Sequence, residues 1–192
     1  GDGLAAREVL RYPGVQNITL VDLDPAVTDL FRRQPLLTNL NRGSLSNPKV
    51  RVVNADAFTW LASETNTYPF IVVDFPDPSN FSIGKLYSTT FFQRVGKVLA
   101  EGGAMVIQCT SPYVARKSFW CVDETLRATG FTTLPYHLYV PSFGEWGFIL
   151  ASRSTLPDLF ELPTDLRFIN TGTLADMSHF PPDMSRLPTE VN

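Results

Sequence analysis

The order of apolar and polar residues along the chain predicts alternating strands and helices. Short β-branched or apolar runs predict strands at 17–23, 50–53, 70–73 and 104–109. Apolar residues at helical spacing predict helices at 4–10, from Pro25 through Phe31, from near Asp56 through Leu61, at 86–99 and at 115–128. The prolines of Asp74–Pro78 end the strand before them, and Gly102-Gly103 predicts a turn that closes the helix at 86–99.

This alternation changes near residue 130. Phe131–Val140 and Trp146–Ser152 are predicted strands joined by a short Pro/Gly turn, which favours an antiparallel hairpin. Alternating strands and helices predict a parallel sheet with helices on both faces. A parallel sheet that ends in such a hairpin is typical of class I S-adenosylmethionine-dependent transferases. The predicted fold is therefore α/β, a Rossmann-like doubly wound sheet of the class I methyltransferase type. In a dinucleotide-binding oxidoreductase, the parallel alternation would continue.

The chain length predicts one catalytic domain with an appended tail. At 192 residues and 44% hydrophobic composition, the chain is long enough to bury one core. We expect residues 1–152 to form this domain. Residues 153–192 hold 5 of the 15 prolines, and we expect them to form an irregular tail packed on it. Because the chain opens within a Gly-Asp-Gly turn, we also expect the domain to be N-terminally truncated, with the first strand of its sheet upstream of Gly1.

Composition and charge exclude several classes of function. A net charge of −3 and a pI near 5.3 argue against nucleic acid, whose phosphates need a basic face. No apolar run approaches the roughly 18 residues of a membrane-spanning helix. Cys109 and Cys121 form no CxxC pair and the chain has only 2 His, so we expect no metal site. His137, which lies within a predicted strand, is expected to be structural.

Acidic residues follow the predicted strands at the positions where ligands bind. In an open α/β sheet, ligands bind beyond the carboxyl ends of the strands. Five carboxylates are expected there: Asp2, Asp22, Asp56, Asp74 and Asp77. A single aspartate at such a position is most often a helix N-cap. A carboxylate after each of several strands instead predicts a ligand site with an acidic wall.

The first three of these carboxylates fit a nucleoside site. Residues 1–6 match the pattern G-x-G-x-x-A, although a tight turn without a ligand has the same pattern. Asp22 lies about twenty residues further on, where an acidic side chain accepts both ribose hydroxyls. That spacing fits nicotinamide and adenosylmethionine sites equally well, and a solvated residue at the end of a strand remains the alternative. Asp56 is expected either to accept from the adenine amino group or to cap a helix.

Charge separates the candidate ligands. A pyrophosphate above the glycine turn would face the Asp2 carboxylate, and like charges repel strongly in a partly desolvated site. The carboxylate of S-adenosylmethionine is disfavoured for the same reason. Decarboxylated S-adenosylmethionine carries a sulfonium and an ammonium and has no carboxylate, so it suits a wall made of Asp2, Asp74 and Asp77. A cationic polyamine acceptor fits the same acidic cleft.

Five segments of residues 1–152 resemble motifs of one family, in the same order along the chain. They are Gly1-Asp2-Gly3, Val21-Asp22-Leu23-Asp24, Asn54-Ala55-Asp56-Ala57-Phe58, Asp74-Phe75-Pro76-Asp77-Pro78 and Leu86–Gln93. They are similar to the GGGDG turn, the V-E-I-D strand end, the G-D-G/A-F segment, the D-S-S-D-P motif and the following helix start of the spermidine synthase (polyamine aminopropyltransferase) family. Gln108–Tyr113, Val140–Phe148 and Phe180–Met184 resemble its bacterial branch with N-terminal transmembrane helices.

The resemblance implies a role for each matched residue. It assigns the catalytic base to Asp74. It assigns contacts with the nucleoside co-substrate to Gly1, Asp2, Gly3, Asp22, Asp56 and Ala57, and contacts with the amine to Asp2, Asp74, Asp77 and Gln108. Apart from the resemblance, Glu145 is expected to be either a solvated turn residue or a further anion at the amine site, if its turn folds over the cleft. The sequence departs from the family at Phe75-Pro76, which replace a small polar pair, and at Phe143, where soluble members usually have an amine-binding Tyr.

The leading functional prediction is a transferase of polyamine and spermidine biosynthesis. It would transfer the aminopropyl group of decarboxylated S-adenosylmethionine to putrescine or a related amine and release methylthioadenosine, with no permanently bound cofactor. The alternatives are a small-molecule methyltransferase and a non-catalytic nucleoside-binding domain of a membrane protein. By resemblance, the full-length protein would be a multi-pass protein of the bacterial cell membrane with this domain in the cytoplasm. A homodimer is also expected, and the isolated chain could be inactive.

Overall fold

The structure, a computed structural model, describes residues 1–156, 162 and 166–192. The chain divides into two compact units, an N-terminal unit at Gly1–Glu64 and a C-terminal unit at Thr65–Asn192. Among the described residues, no helix is both long enough and apolar enough to cross a membrane.

The N-terminal unit is built on two parallel strands. These are β1 (Ile18–Asp22) and β2 (Val50–Asn54), with Asp22 opposite Asn54 at their carboxyl ends. Its helices are α1 (Leu4–Val9), α2 (Pro25–Arg33), α3 (Pro35–Leu40) and α4 (Ala57–Ser63), and a 3-10 turn follows at Ser44–Ser46. Asp24 caps α2 by accepting from the amide of Ala26, and proline is favoured at the first position that follows.

The C-terminal unit contains a mixed four-stranded sheet. Its strands are β3 (Tyr68–Val73), β4 (Leu99–Gln108), β5 (Thr132–Val140) and β6 (Gly144–Ser152), in the order β3-β4-β6-β5. β3 and β4 are parallel, whereas β6 is antiparallel to both β4 and β5. The predicted antiparallel hairpin is therefore confirmed. Its helices are α5 (Phe81–Gly84), α6 (Thr89–Val98), α7 (Arg116–Ala128) and α8 (Thr171–Asp176), and a 3-10 turn lies at Lys85–Tyr87.

Three local predictions were wrong. Gly102-Gly103 lies inside β4 and does not form a turn before it, because the left-handed φ of +70° at Gly102 allows an irregularity within the strand. The helix predicted at 86–99 begins only at Thr89, since Ser88 caps it by accepting from the amide of Phe91. The tail predicted as irregular contains α8, which begins with a capping box between Asn170 and Thr173. The helix α3 was not predicted.

The core of the C-terminal unit lies between β4, β6 and helices α6 and α7. Its fully buried apolar side chains include Phe91, Phe92, Met105, Ile107, Phe119, Leu126 and Ile149. Burying a side chain of this kind contributes about 1.5–3 kcal/mol relative to leaving it exposed. Since Met105 and Ile107 alternate along β4, the packed face of that strand fixes where its carboxyl end, Gln108, emerges.

The described part of the tail contacts α7. The indole nitrogen of Trp120 donates to the carbonyl oxygen of Met184 at 3.0 Å. The guanidinium of Arg116 donates to the carbonyl oxygen of Ser185 at 2.6 Å. Arg186 lies 4.4 Å from the centre of the Trp120 ring and also contacts Asp123. Hydrogen bonds, an ion pair and a cation–π contact therefore attach this part of the tail to α7.

Candidate active site

The glycine turn of the N-terminal unit is built by close backbone contacts. Gly3 adopts a left-handed φ of +78°, and a side chain there would come within 2.5 Å of the Ser44 hydroxyl. One carboxylate oxygen of Asp2 accepts from the amide of Leu4 at 2.9 Å, at the start of α1. Residues 1–6 therefore form the tight turn that their glycine pattern predicts. The Asp2 carboxylate is held at the N-terminal end of α1.

Two residues that the sequence did not single out hold this turn in place. Asn41 is fully buried, and its amide donates to the carbonyl oxygens of Asp2 at 2.9 Å and Phe31 at 3.1 Å. Ser44 donates from its hydroxyl to the carbonyl oxygen of Gly3 at 2.7 Å. The only sequence signal was the turn composition Asn-Arg-Gly-Ser at 41–44, which indicates a loop and says nothing of its distant partner.

Asp22 ends β1 and lies next to the glycine turn. One of its oxygens accepts from the amide of Asp24 at 2.8 Å. A side chain at Gly1 would overlap the Asp22 carboxylate, so the close approach requires glycine.

Asp56 lies at the same edge of the two-stranded sheet as Asp22. Because Asp22 pairs with Asn54 in a parallel register, Asp56 follows two residues beyond that edge. Its carboxylate caps α4 by accepting from the amide of Thr59 at 3.1 Å. Asp56 is therefore a helix N-cap, which is one of the two interpretations of this residue. Its contact with adenine stays a prediction. Ala57 begins α4, directly after this cap.

The C-terminal unit carries the predicted base on a loop held by a buried tyrosine. Asp74 directly follows β3 and is exposed. The hydroxyl of Tyr87 lies 3.3 Å from the carbonyl oxygen of Phe75, 3.2 Å from that of Pro76 and 3.4 Å from that of Gln108. Burial raises the pKa of Tyr87, so its hydroxyl remains a neutral donor. The family motif led to the two aspartates and gave Tyr87 no role.

Asp77 is half-buried and is held by side chains at the end of β4. Thr110 donates from its hydroxyl to one carboxylate oxygen at 3.0 Å. In one orientation of its amide, Gln108 donates to the other oxygen at 3.5 Å. In the reverse orientation, the nitrogen of Gln108 donates to the carbonyl oxygen of Phe75 at 2.6 Å and its oxygen accepts from Trp146 at 2.5 Å. The reverse orientation makes the shorter bonds, which leaves Thr110 as the main partner of Asp77.

Glu145 is also at this end of the sheet, but its contact is with a histidine. β6 runs antiparallel to β4, and Gln108 pairs with Phe148, so Glu145 lies beyond the carboxyl end of β4. Its carboxylate lies 2.5 Å from Nδ1 of His137. The structure thus brings the predicted amine residues of this unit to one end of the sheet, and it gives Glu145 a structural partner as well. Phe143 is exposed and packs against Trp146.

The chain belongs to the spermine/spermidine synthase domain family, whose model it matches over residues 1–162. A polyamine aminopropyltransferase of Leptospira interrogans is 50% identical over 192 residues, which cover 100% of this chain and 39% of that protein. Polyamine aminopropyltransferase 2 of Ralstonia nicotianae is 50% identical over 196 residues, with 100% and 38% coverage. The chain therefore spans less than half the length of these relatives. The family resemblance drawn from the motifs is confirmed.

Solved structures confirm the predicted fold. Spermidine synthase from Thermotoga maritima matches with a TM-score of 0.80 at 22% identity, over 94% of this chain and 62% of that chain. A spermidine synthase in complex with the transition-state analogue AdoDATO matches with a TM-score of 0.81 at 23% identity, over 94% and 64%. The fold is thus α/β with a mixed sheet, in agreement with a Rossmann-like methyltransferase type.

Proposed function

We propose that the protein is a polyamine aminopropyltransferase, which transfers the aminopropyl group of decarboxylated S-adenosylmethionine to putrescine or a related amine. The observation that carries the proposal is the loop after β3, where Asp74 and Asp77 are separated by two residues and Tyr87 lies against the loop carbonyls. Family membership and the two relatives at 50% identity support the reaction class.

The chemistry needs a neutral amine and a positively charged donor. The amine lone pair attacks the aminopropyl carbon next to the sulfonium. A C–N bond forms, the C–S bond breaks, and its electron pair stays on sulfur in methylthioadenosine. An alkylammonium has a pKa near about 10, so the acceptor must lose a proton before its nitrogen can attack. We assign that proton to Asp74, because a carboxylate beside the nitrogen can accept it and so free the lone pair for the attack.

Asp77 is assigned to the amine acceptor. Its partner Thr110 is a neutral donor, so the bond orients the carboxylate without cancelling its charge. A half-buried carboxylate that keeps its charge attracts an ammonium group more strongly than one in bulk water does. Gln108 is assigned to the same acceptor, since it lies at the carboxyl end of β4 beside the loop. Glu145 is retained as a further candidate for the amine.

The N-terminal unit is assigned to the nucleoside. Asp22 ends β1 and Asp56 follows the neighbouring parallel strand β2, where carboxylates can accept from ribose hydroxyls and an adenine amino group. Gly1, Gly3 and Ala57 allow close approach of a ligand to the backbone, and Asp2 is assigned to the aminopropyl ammonium. Asp22→Ala should weaken methylthioadenosine binding by roughly 1.5–3 kcal/mol, measured by calorimetry on the full-length protein. Asp29→Ala, a surface change on α2, is the matched control and should have no effect.

Product analysis tests the reaction class. The full-length protein is incubated with putrescine and either decarboxylated S-adenosylmethionine or S-adenosylmethionine, and the products are separated by mass spectrometry. The proposal expects methylthioadenosine and spermidine from the first donor only. A methylated amine with S-adenosylhomocysteine would establish the methyltransferase alternative. Binding of methylthioadenosine without turnover of either donor would establish a nucleoside-binding domain.

Two isosteric variants separate the base from the amine contact. Asp74→Asn removes the basic oxygen and should lower kcat by about 10²–10⁴-fold while methylthioadenosine still binds. Asp77→Asn should act mainly on the apparent KM for putrescine. Asp183→Asn, at an exposed tail position, is the control. Near-normal kcat in Asp74→Asn would move the base to another residue, and loss of nucleoside binding in that variant would give Asp74 a structural role.

For the full-length protein we propose attachment to the bacterial membrane through segments outside this chain, with the domain in the cytoplasm. The support is the resemblance of Gln108–Tyr113, Val140–Phe148 and Phe180–Met184 to the membrane branch of the family. Fractionation of cells that express the complete gene tests it. Recovery of the protein entirely in the soluble fraction would contradict the proposal.

A further inference from the structure

Thr110 combines an unusual backbone conformation with a buried hydroxyl that contacts Asp77. Its φ is +24°, a positive value that among the described non-glycine residues is otherwise found only at Arg42. Its side chain is 5% exposed, and its hydroxyl donates to a carboxylate oxygen of Asp77 at 3.0 Å. A β-branched residue is strongly disfavoured at positive φ, where glycine or asparagine is relaxed.

The neighbouring strand imposes this conformation. The carbonyl oxygen of Thr110 accepts from the amide of Gly147 at 2.9 Å, and the amide of Cys109 donates to the carbonyl oxygen of Gly147 at 3.0 Å. These bonds extend the pairing of β4 with β6 beyond Gln108. A side chain at Gly147 would come within 2.4 Å of the Phe119 ring and 2.9 Å of the Thr110 carbonyl oxygen, so glycine is what permits the approach.

Backbone strain such as this positive φ persists only where contacts with the surrounding structure hold the residue in place. Such strain is concentrated at functional sites. Packing alone does not account for Thr110, because a relaxed residue could make the same backbone bonds to Gly147. What glycine lacks at this position is the hydroxyl, whose partner is Asp77.

We propose that Thr110 is a positioning residue for the acceptor amine, because its hydroxyl holds the Asp77 carboxylate in one orientation. The inference rests on the proposed function, in which Asp77 binds the acceptor. A neutral hydroxyl fixes the carboxylate and leaves its negative charge available for an ammonium group. A lysine or arginine at position 110 would cancel that negative charge. A carboxylate fixed in advance loses less conformational freedom when the amine binds.

The test compares three changes at Thr110 in the full-length protein. Thr110→Val keeps the β-branched shape and loses the hydroxyl, so the KM for putrescine should rise about tenfold, the scale of a lost hydrogen bond to a charged group, with little change in kcat. Thr110→Ser restores the hydroxyl and should recover most of that loss. Thr110→Gly lacks the hydroxyl, so it should lose amine affinity. Because glycine relieves the backbone strain at this position, the melting temperature should stay equal to or above that of the wild type.

Thr133→Val is the matched control. Thr133 is a buried threonine of the same sheet, and its hydroxyl has no hydrogen-bond partner among the residues that the structure describes. Its replacement by valine should leave the KM for putrescine unchanged. A double-mutant cycle then tests whether Thr110 acts on amine binding through Asp77. In an Asp77→Asn background, Thr110→Val should add little, because the residue acts through the carboxylate.

Putrescine binding in the presence of methylthioadenosine, measured by calorimetry, separates this inference from the proposed function. If the wild type binds putrescine without turning it over, the proposed function fails and the affinities still report on Thr110. An unchanged affinity in Thr110→Val overturns the inference, as does a Thr110→Ser variant that behaves like Thr110→Val. An undiminished effect in the Asp77→Asn background also overturns it. A wild type that neither binds nor turns over the amine overturns both.

Discussion

Nδ1 of His137 and Oε1 of Glu145 lie 2.5 Å apart, and this contact joins the two strands of the β5–β6 hairpin. Nε2 of the same ring lies 2.8 Å from the carbonyl oxygen of His179, so the ring also connects the hairpin to the tail. Phe180 packs against the ring with 4.6 Å between centroids. His137 therefore has the structural surroundings expected of it, and Glu145 has a partner that the sequence did not indicate.

Glu145→Gln should destabilise the protein. The change removes the carboxylate charge opposite His137 and should lower the free energy of unfolding by about 1–2 kcal/mol, measured by denaturant titration. Glu101→Gln, at an exposed position of β4, is the control and should have little effect. A raised KM for putrescine with unchanged stability would instead place Glu145 at the amine, the other alternative that the sequence left open.

Tyr87→Phe should loosen the loop that carries Asp74. The change removes the hydroxyl that faces the carbonyl oxygens of Phe75, Pro76 and Gln108, and should lower the free energy of unfolding by about 1 kcal/mol. We expect kcat to fall as well, since the base is held less rigidly.

Tyr136→Phe is the matched control for that experiment. Tyr136 is a tyrosine of the same unit, stacked on Phe148, and burial raises its pKa to about 12. No hydrogen bond of its hydroxyl is found in the part of the chain that the structure describes. Equal losses of kcat in Tyr87→Phe and Tyr136→Phe would show that Tyr87 has no special role at the loop.

Asn41→Asp should disrupt the glycine turn. The change keeps the shape but puts a carboxylate oxygen where the amide of Asn41 donates to the carbonyl oxygens of Asp2 and Phe31. Because the site is fully buried, the free energy of unfolding should fall by about 3 kcal/mol or more near pH 7.

The same variant makes a prediction about pH. Burial without a cation raises the pKa of the introduced carboxyl in the folded state above its unfolded value of about 3.9. The loss in the free energy of unfolding is then complete at a pH above the pKa of this carboxyl in the folded state. It shrinks as the pH falls toward about 4, where the protonated carboxyl can donate a hydrogen bond. Denaturant titrations of the variant and the wild type at several pH values check this. A penalty that does not change with pH would contradict it.

Arg186→Gln should weaken the attachment of the tail to α7. Asp123 is fully buried, and its carboxylate contacts both Arg127 and Arg186. Because Arg186 is itself 41% exposed, solvent screens part of the interaction, and we expect a loss of about 1–2 kcal/mol in the free energy of unfolding. Faster proteolysis after Met184 would follow. In an Asp123→Asn background the loss should be smaller, and an equal loss there would attribute it to the other contacts of Arg186, with Trp120 and Glu124.

The acidic residues could be predicted because their positions depend on local order along the chain. Asp22 ends a strand, and Asp56 and Asp74 follow strands, whose apolar runs are visible in the sequence. The ends of these runs therefore predicted where the carboxylates lie. Element boundaries were less exact. α6 begins three residues after the predicted start, because its N-cap Ser88 competes with the apolar periodicity at 86–99.

The residues that hold the site could not be predicted, because their partners are distant in sequence. Asn41 is 39 residues from Asp2, and Thr110 is 33 residues from Asp77. No periodicity or motif links such pairs, since the contacts form only when the strands and turns have packed.

The sequence alone determined the family, the alternation of strands and helices and the acidic residues at the strand ends, since each depends on residues that are close together in the chain. Only the tertiary structure decided that Tyr87 holds the Asp74 loop, that Glu145 pairs with His137 and that Thr110 is held at a positive φ beside Asp77. These depend on hydrogen bonds between different elements of the fold, which are 8 residues apart for His137 and Glu145 and 33 residues apart for Thr110 and Asp77. Their geometry follows from the buried packing of β4 and β6, which local residue preferences do not specify.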